Sequence, residues 1–266
     1  MILSSGKMTS FYTSGVNPFF RSTESIYEEL EMELLPLTAE EVDNIYFYGS
    51  GIINEEKADV VRLALQKLYP AARIELFSDV VAASRSLFGD QPGIACILGT
   101  GSNACLYDGQ KVVDGISPLG YILGDEGSGA VLGKKLLGDF FKEVMPDPLR
   151  EKFARKYQLT RAEVLQRVYK TEKPNHYLAS FAPFLSEELA SDYAQQLVKS
   201  SLMEFFERNV TKIAGYKSFP IGFVGSIAFH FKEIVYEVCD NHHLSCKAIH
   251  QEPMEGLLKY HLNIFK

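Results

Sequence analysis

Four short apolar runs in this chain each end in a turn of small residues, and that recurrence narrows the fold more than any other feature. Ile45-Tyr46-Phe47-Tyr48 runs into Gly49-Ser50-Gly51, and Ile74-Glu75-Leu76-Phe77 into Ser78-Asp79. Ile94 to Leu98 runs into Gly99-Thr100-Gly101-Ser102, and Pro220 to Val224 into Gly225-Ser226. Runs of this length, rich in β-branched and aromatic side chains and punctuated by Gly and Ser, read as strands. Between the first two, Asn54 precedes Val60, Val61, Ala64, Leu65 and Leu68 at helical spacing, with Pro70 as the stop; this predicts an N-capped amphipathic helix. A second helical stretch from Asp79 to Leu87 gives the order β-α-β-α-β, the rhythm of an α/β domain with at least partly parallel strands.

The rhythm then changes. Asn103 to Tyr107 and Lys111 to Ile116 flank Asp108-Gly109, a signal for an antiparallel hairpin. A glycine-rich loop, Gly120 to Gly129, feeds a helix from about Ala130, and Leu149 to Gly215 reads as mostly helical. Thr160 and Glu163 form a capping box, and the stretch from Asp192 is expected to end in a Gly215 C-cap. A strand near Lys247 to Ile249 and a terminal helix from Pro253 complete the pattern.

Composition excludes several classes. With 46% hydrophobic and 23% charged residues the chain is an ordinary globular protein, and its net charge of −7 has the wrong sign for a nucleic-acid binder. No run of about 20 apolar residues is present to cross a membrane, and the N-terminus lacks the order of a signal peptide. A soluble, cytoplasmic protein without nucleic-acid or membrane partners is expected. Cys96, Cys105, Cys239 and Cys246 make no C-x-x-C pair and read as reduced thiols. The histidines show no ligand spacing, and Phe11, Tyr12, Phe19 and Phe20 are expected to serve core or lobe packing rather than base stacking.

Three glycine motifs imitate nucleotide sites and fail. Gly99-Thr100-Gly101-Ser102-Asn103-Ala104 fits G-x-G-x-x-A, but a hairpin strand follows where that fingerprint needs a helix. Gly129 to Lys135 has the wrong glycine spacing for a P-loop, with Lys135 where Ser or Thr would meet magnesium, and Ser5-Gly6-Lys7-Met8 has no upstream glycine. What survives is a tight turn between antiparallel strands at Gly99 to Ser102, whose backbone amides can wrap a phosphate. Gly225-Ser226 is a strand-to-helix turn against which a nucleotide can lie. Asp79, just past a strand end, stands where an N-cap of the following helix would.

Taken together, Gly49 to Gly51, Ser78-Asp79, Leu98 to Asn103, Leu119 to Gly129 and Phe223 to Ser226 resemble the N-acetylglucosamine kinase-like proteins of the BadF-type ATPase family. That family belongs to the superfamily of actin, hexokinase and heat-shock chaperone ATPases. The resemblance runs from about Thr13 to the C-terminus. It implies an α/β, two-lobed actin-like ATPase (ribonuclease H-like) fold with the nucleotide in the interlobe cleft. Residues 1–92 plus 253–266 would form the N-terminal lobe and 93–252 the C-terminal lobe. It further implies an ATP- and Mg2+-dependent kinase acting on the 6-hydroxyl of an amino sugar, with N-acetylglucosamine as the expected acceptor. Under that resemblance Asp79 is the catalytic base, Gly99, Thr100, Gly101 and Ser102 bind phosphate, Gly225 and Ser226 bind adenosine, and Asn17, Gly120 and Asp125 bind the sugar. The partners would be small molecules, sugar and nucleotide, and the oligomeric state stays open, a homodimer included.

The chain departs from the family at one place. The family opens with D-x-G-x-T/S-K-T/S, whereas Met1-Ile2-Leu3 is followed here by Ser4-Ser5-Gly6-Lys7-Met8-Thr9, and no aspartate occurs before Asp43. The metal ligands are therefore not identifiable, and a missing stretch, with a break between Leu3 and Ser4, is expected. Two alternatives follow. One is an ATPase that activates an iron–sulfur enzyme, for which Cys96 and Cys105 are poorly placed in strands. The other is a non-catalytic sugar- or nucleotide-binding module, if the first phosphate loop is absent.

Overall fold

The computed structural model describes residues 2–4, 7–13, 15–38 and 41–264. Contacts divide the chain into two compact units, Met1–Ala82 and Ala83–Lys266. The division falls within the helix that follows the second parallel strand.

In the first unit, β1 (Ile2–Ser4) and β2 (Lys7–Thr9) form an antiparallel pair with Leu3 opposite Met8 and Ser4 opposite Lys7. One strand thus runs through Leu3 and Ser4. Helix α1 (Thr23–Glu33) follows, capped by the Ser22 hydroxyl accepting from the Ser25 amide. Then come β3 (Asn44–Gly49), α2 (Glu55–Leu68) and β4 (Arg73–Ser78), with β3 and β4 parallel and Gly49 opposite Ser78. As predicted, Asn54 caps α2 through its side chain on the Lys57 amide. Strand alternation explains the core. Ile45, Phe47, Ile74 and Leu76 pack on Ile26 and Leu30 of α1 and on Val61, Ala64 and Leu65 of α2, while Tyr48 and Phe77 stack with ring centroids 5.1 Å apart.

Helix α3 (Asp79–Phe88) leads into the second unit. There β5 (Gly93–Leu98), β6 (Ser102–Tyr107) and β7 (Val112–Gly115) form an antiparallel meander, with the predicted turn at Asp108 to Lys111 and Gly109 at φ +101°. The chain next traverses helices α4 (Gly120–Leu123), α5 (Gly129–Phe141), α6 (Asp147–Tyr157), α7 (Arg161–Tyr169), α8 (Pro174–Ala179), α9 (Ala182–Glu187) and α10 (Asp192–Arg208). It returns as β8 (Ile221–Val224), parallel to β5, then α11 (Ser226–His230), α12 (Lys232–Asn241), β9 (Cys246–His250) and α13 (Met254–Ile264). The sheet order is β7-β6-β5-β8-β9, and its central strand β5 is buried at five of six positions.

Several local expectations need correcting. The glycine-rich segment contains one helical turn, α4, rather than only loop. α10 ends at Asn209, not Gly215: the Asn209 side chain donates to the Phe205 carbonyl and to Glu126, and Gly215, at φ +67°, opens a later 3-10 turn. Tyr12, Phe19 and Phe20 are 89%, 51% and 75% exposed rather than interior. The Asn17 carbonyl accepts from the Phe20 amide at 3.1 Å, closing a tight turn on which both phenylalanines are exposed. The capping box at Thr160 and Glu163 is present with both reciprocal bonds. α13 packs on α3, where a Cβ on Gly256 would stand 2.3 Å from the Ser86 carbonyl oxygen. No helix among the described residues is long and apolar enough to cross a membrane.

Candidate functional site

The candidate residues of the first unit gather at the carboxyl ends of its parallel strands. Gly49 and Ser78 are register partners at those ends. Asp79 follows directly, and Gly51 lies two residues past β3. The Asn17 side chain abuts Gly51, where a Cβ would come within 2.5 Å of its Oδ1, and that oxygen accepts from the Phe19 amide at 2.9 Å. Gly51 also adopts φ +87°, a left-handed conformation that glycine takes at no steric cost. Asp79 is the first residue of α3, and its Oδ1 accepts from the Val80 amide at 2.9 Å. A helix cap would bond two or three residues on, so the carboxylate is held beside the helix start without serving as an ordinary cap. Burial pushes its pKa up, and the Val80 amide offsets this only in part. A base is most effective when its pKa approaches ambient pH, so the direction suits proton abstraction.

In the second unit the strand–turn–strand signal at Gly99 to Ser102 is a true hairpin turn, with the Gly99 amide donating to the Gly101 carbonyl at 3.0 Å. Its neighbours converge from distant sequence. The Gly129 amide at the start of α5 donates to the Gly99 carbonyl at 2.8 Å, and the Ala130 amide to the Thr100 carbonyl at 3.1 Å. Gly225 meets the same turn from β8: a Cβ there would lie 2.3 Å from the Leu98 carbonyl oxygen and 3.1 Å from the Gly99 nitrogen. Its φ of +128° and its amide bond to the His250 carbonyl fix the loop that presents Ser226. The structure therefore joins Gly99, Thr100, Gly225 and Ser226.

Asp125 belongs to this assembly as well. Its Oδ1 accepts from the Ser102 amide at 3.3 Å, and its φ of +56° is left-handed, costing about 1–2 kcal/mol for a residue with a Cβ. Burial raises its pKa, and Glu126 adds to the rise, while the Ser102 amide and Lys134 oppose it. Gly120, at φ +72°, opens α4 and is exposed, and a Cβ there would meet nothing within 4 Å; its carbonyl accepts from the Gly124 amide at 2.7 Å.

A cavity of about 450 Å³ opens beside the turn, within the roughly 300–1,000 Å³ usual for small-molecule sites. Gly99, Thr100 and Gly129 form one wall, Ser226, Ile227 and Phe231 a second, and Ala179, Pro183 and Ser186 a third. Exposed His176 and His230 stand at its rim. α8 can approach this closely because α5 carries Gly133, where a Cβ would overlap the Leu178 carbonyl at 1.8 Å. The α8–α9 wall is the part that sequence reasoning missed. It lies some 80 residues beyond the turn and carries no motif; Gly129 and Gly133 are the one trace of it in the sequence.

The turn, Ser226 and a mainly apolar cavity suit a nucleotide, with phosphates against backbone amides and the base in the cavity. Among the described residues no three His, Cys, Asp or Glu side chains come together as a metal site. Mg2+ in such sites is usually carried on substrate phosphates with one or two carboxylates, and the half-buried Asp125 beside the turn is a hard-oxygen donor of that kind. Cys96, Cys105 and Cys239 are buried and Cys246 is partly so.

No family model and no curated protein matches the chain. Among solved structures, a candidate N-acetylglucosamine kinase from Porphyromonas gingivalis superposes with a TM-score of 0.91 at 42% identity, over 95% of this chain and 90% of that one. A second, from Chromobacterium violaceum, superposes at TM-score 0.65 and 19% identity over 89% and 82% of the two chains, a likeness of fold.

Proposed function

Because the chain belongs to the N-acetylglucosamine kinase-like family, with its actin-like ATPase fold, we propose that it is an ATP-dependent sugar kinase whose acceptor is the 6-hydroxyl of an amino sugar, N-acetylglucosamine first. The observation that carries the reading is the cavity of about 450 Å³ continuous with the Gly99 to Ser102 turn and with Ser226. It provides a place for a base and a place for phosphates on one surface.

In this reading Gly225 and Ser226 bind the adenosine and Gly99 to Ser102 bind the outer phosphates. Asn17, Gly120 and Asp125 bind the sugar, with neutral amide and carboxylate groups suited to hydroxyls. Asp79 accepts the proton of the 6-hydroxyl as that oxygen forms its bond to the γ-phosphorus. The bond from that phosphorus to the β–γ bridging oxygen breaks in line, and ADP leaves. Mg2+ would be held by the nucleotide phosphates with Asp125 as the carboxylate beside the turn, and it supplies neutralisation of their charge.

The test is ATP-dependent transfer to a panel of N-acetylglucosamine, glucosamine and glucose, followed by ADP release, with the phosphorylated position read by phosphorus NMR. Transfer to N-acetylglucosamine at position 6 is expected; an analogue lacking the 6-hydroxyl should accept none. A second reading, a binding module without catalysis, is favoured by the lack of any aspartate before Asp43. ATP and sugar binding with no transfer to any acceptor would establish it in place of the kinase.

A further inference from the structure

The turn Gly99 to Ser102 and the loop Gly124 to Gly129 are distant in sequence and built as one piece. Three hydrogen bonds cross between them and the start of α5: Ser102 amide to Asp125 Oδ1, Gly129 amide to Gly99 carbonyl, and Ala130 amide to Thr100 carbonyl. The Asp125 carboxylate also lies over Gly101, where a Cβ would stand 3.1 Å from Oδ2 and 3.3 Å from Oδ1. A larger residue at 101 would push the carboxylate off the turn.

Three hydrogen bonds anchor the loop that carries Asp125 in its left-handed conformation. The Ser128 amide closes a turn onto the Asp125 carbonyl at 3.1 Å. Gly127 packs against Phe205 and Leu98 and donates its amide to the Ser201 hydroxyl. Glu126 accepts from the Asn209 side chain. A strained residue that the surroundings over-determine is the pattern of a functional position. The strain here has a visible product, since it turns one carboxylate oxygen back onto the amide that ends the phosphate turn.

We infer that Asp125 is a positioning residue for the phosphate-binding turn, its Oδ1 fixing the Ser102 amide and hence the course of Gly99 to Ser102, while Oδ2 is left to meet a ligand. Sugar contact and phosphate turn then share one carboxylate, so occupancy of either changes affinity for the other, reciprocally. The inference rests on the kinase reading for what the turn binds, and on geometry alone for the order of the turn.

Asp125→Gly and Asp125→Asn separate the roles. Glycine suits the left-handed backbone and removes the carboxylate without new strain, whereas asparagine keeps an oxygen that accepts the Ser102 amide. Amide hydrogen exchange over residues 99–104, without nucleotide, should quicken about tenfold in Asp125→Gly and stay near wild type in Asp125→Asn. Calorimetric titration with ATP in the presence of EDTA, so that metal coordination plays no part, and without sugar, should show affinity falling about tenfold in the glycine variant and much less in the asparagine one. Unchanged exchange in Asp125→Gly overturns the positioning role whatever the protein binds. Quickened exchange in that variant, with a wild-type protein that binds no MgATP, instead leaves the positioning role standing and removes the kinase reading.

Discussion

The two sets of candidate residues are held in different ways. In the first unit the bonds that fix them are local: Asp79 to the next residue's amide, Asn17 to an amide two residues on. In the second unit they span the fold. Asp125 reaches Ser102 across 23 residues, the Gly127 amide reaches Ser201 across 74, and Asn209 reaches Glu126 across 83. Local bonds orient a side chain while leaving its surroundings free to adjust, whereas long-range bonds fix one segment relative to another before any ligand arrives. The proposed phosphate side is thus pre-organised, and the proposed acceptor side is set by its own few residues. Pre-organisation on the side where charge develops is where rigidity contributes most to catalysis.

The sharpest way to break this comparison is Asp79→Asn. If Asp79 is the base on the locally held side, turnover should drop about 10²–10⁴-fold. MgATP affinity, set by the braced second unit, should stay within about threefold of wild type. Steady-state kinetics and calorimetric titration on the same preparation check both halves. Retained turnover would remove Asp79 from the base role, and a matching loss of MgATP affinity would mean that the two regions are not independent.

Next in size is a pair of glycine substitutions. Gly225→Ala places a methyl 2.3 Å from the Leu98 carbonyl oxygen at φ +128°, combining a backbone clash with a conformation that L-residues avoid. A loss of at least about 3 kcal/mol is expected, with MgATP binding impaired because Leu98 leads directly into the turn. Gly120→Ala meets nothing within 4 Å and bears only the strain of φ +72°, about 1–2 kcal/mol. Urea denaturation ranks them. Equal losses would mean that the brace between β8 and the turn is not what holds Gly225.

How much of this was legible beforehand follows the same division. Asn54 as a cap, the Thr160–Glu163 box and the Asp108-Gly109 turn are each decided by a few adjacent residues, and the sequence displayed them. The four strand ends were legible because small residues punctuate apolar runs. What adjacency cannot reveal is which segments meet. Gly129, Gly133 and Gly225 are glycines because α8, α11 and Leu98 press on them, and nothing near them in sequence says so. Helix α10 stops early because Asn209 finds Glu126, another meeting invisible along the chain. Phe19 and Phe20 show the converse: hydrophobicity suggests a core, yet both are exposed beside the turn in which the Phe20 amide meets the Asn17 carbonyl.

The smallest effect distinguishes a carboxylate placed for folding from one placed for chemistry. Asp108, in the β6–β7 turn, accepts from the Gln110 and Lys111 amides at 2.8 Å each, and the Lys111 and then the Gln110 amide hold its pKa below the ordinary value. Its contribution to stability is present above the unfolded-state pKa of about 3.9 and is lost as pH falls through the lower folded value. Asp79 behaves oppositely. Burial raises its folded pKa, so its contribution is full below about pH 3.9 and is lost as pH rises through the raised value, leaving a desolvated charge at neutral pH. Asp108→Asn should therefore lower Tm at pH 7, with the deficit closing toward pH 3. Asp79→Asn should raise Tm at pH 7, with the gain shrinking over the same descent. Each kcal/mol moves Tm by roughly 2–4 °C in a chain near this size, so calorimetry at four or five pH values resolves the signs. Shifts of the same sign in both variants would show that Asp79 is held as tightly by its local amide as Asp108 is by its turn, and the contrast between a locally adjustable acceptor side and a braced phosphate side would then have to rest on Asn17 alone.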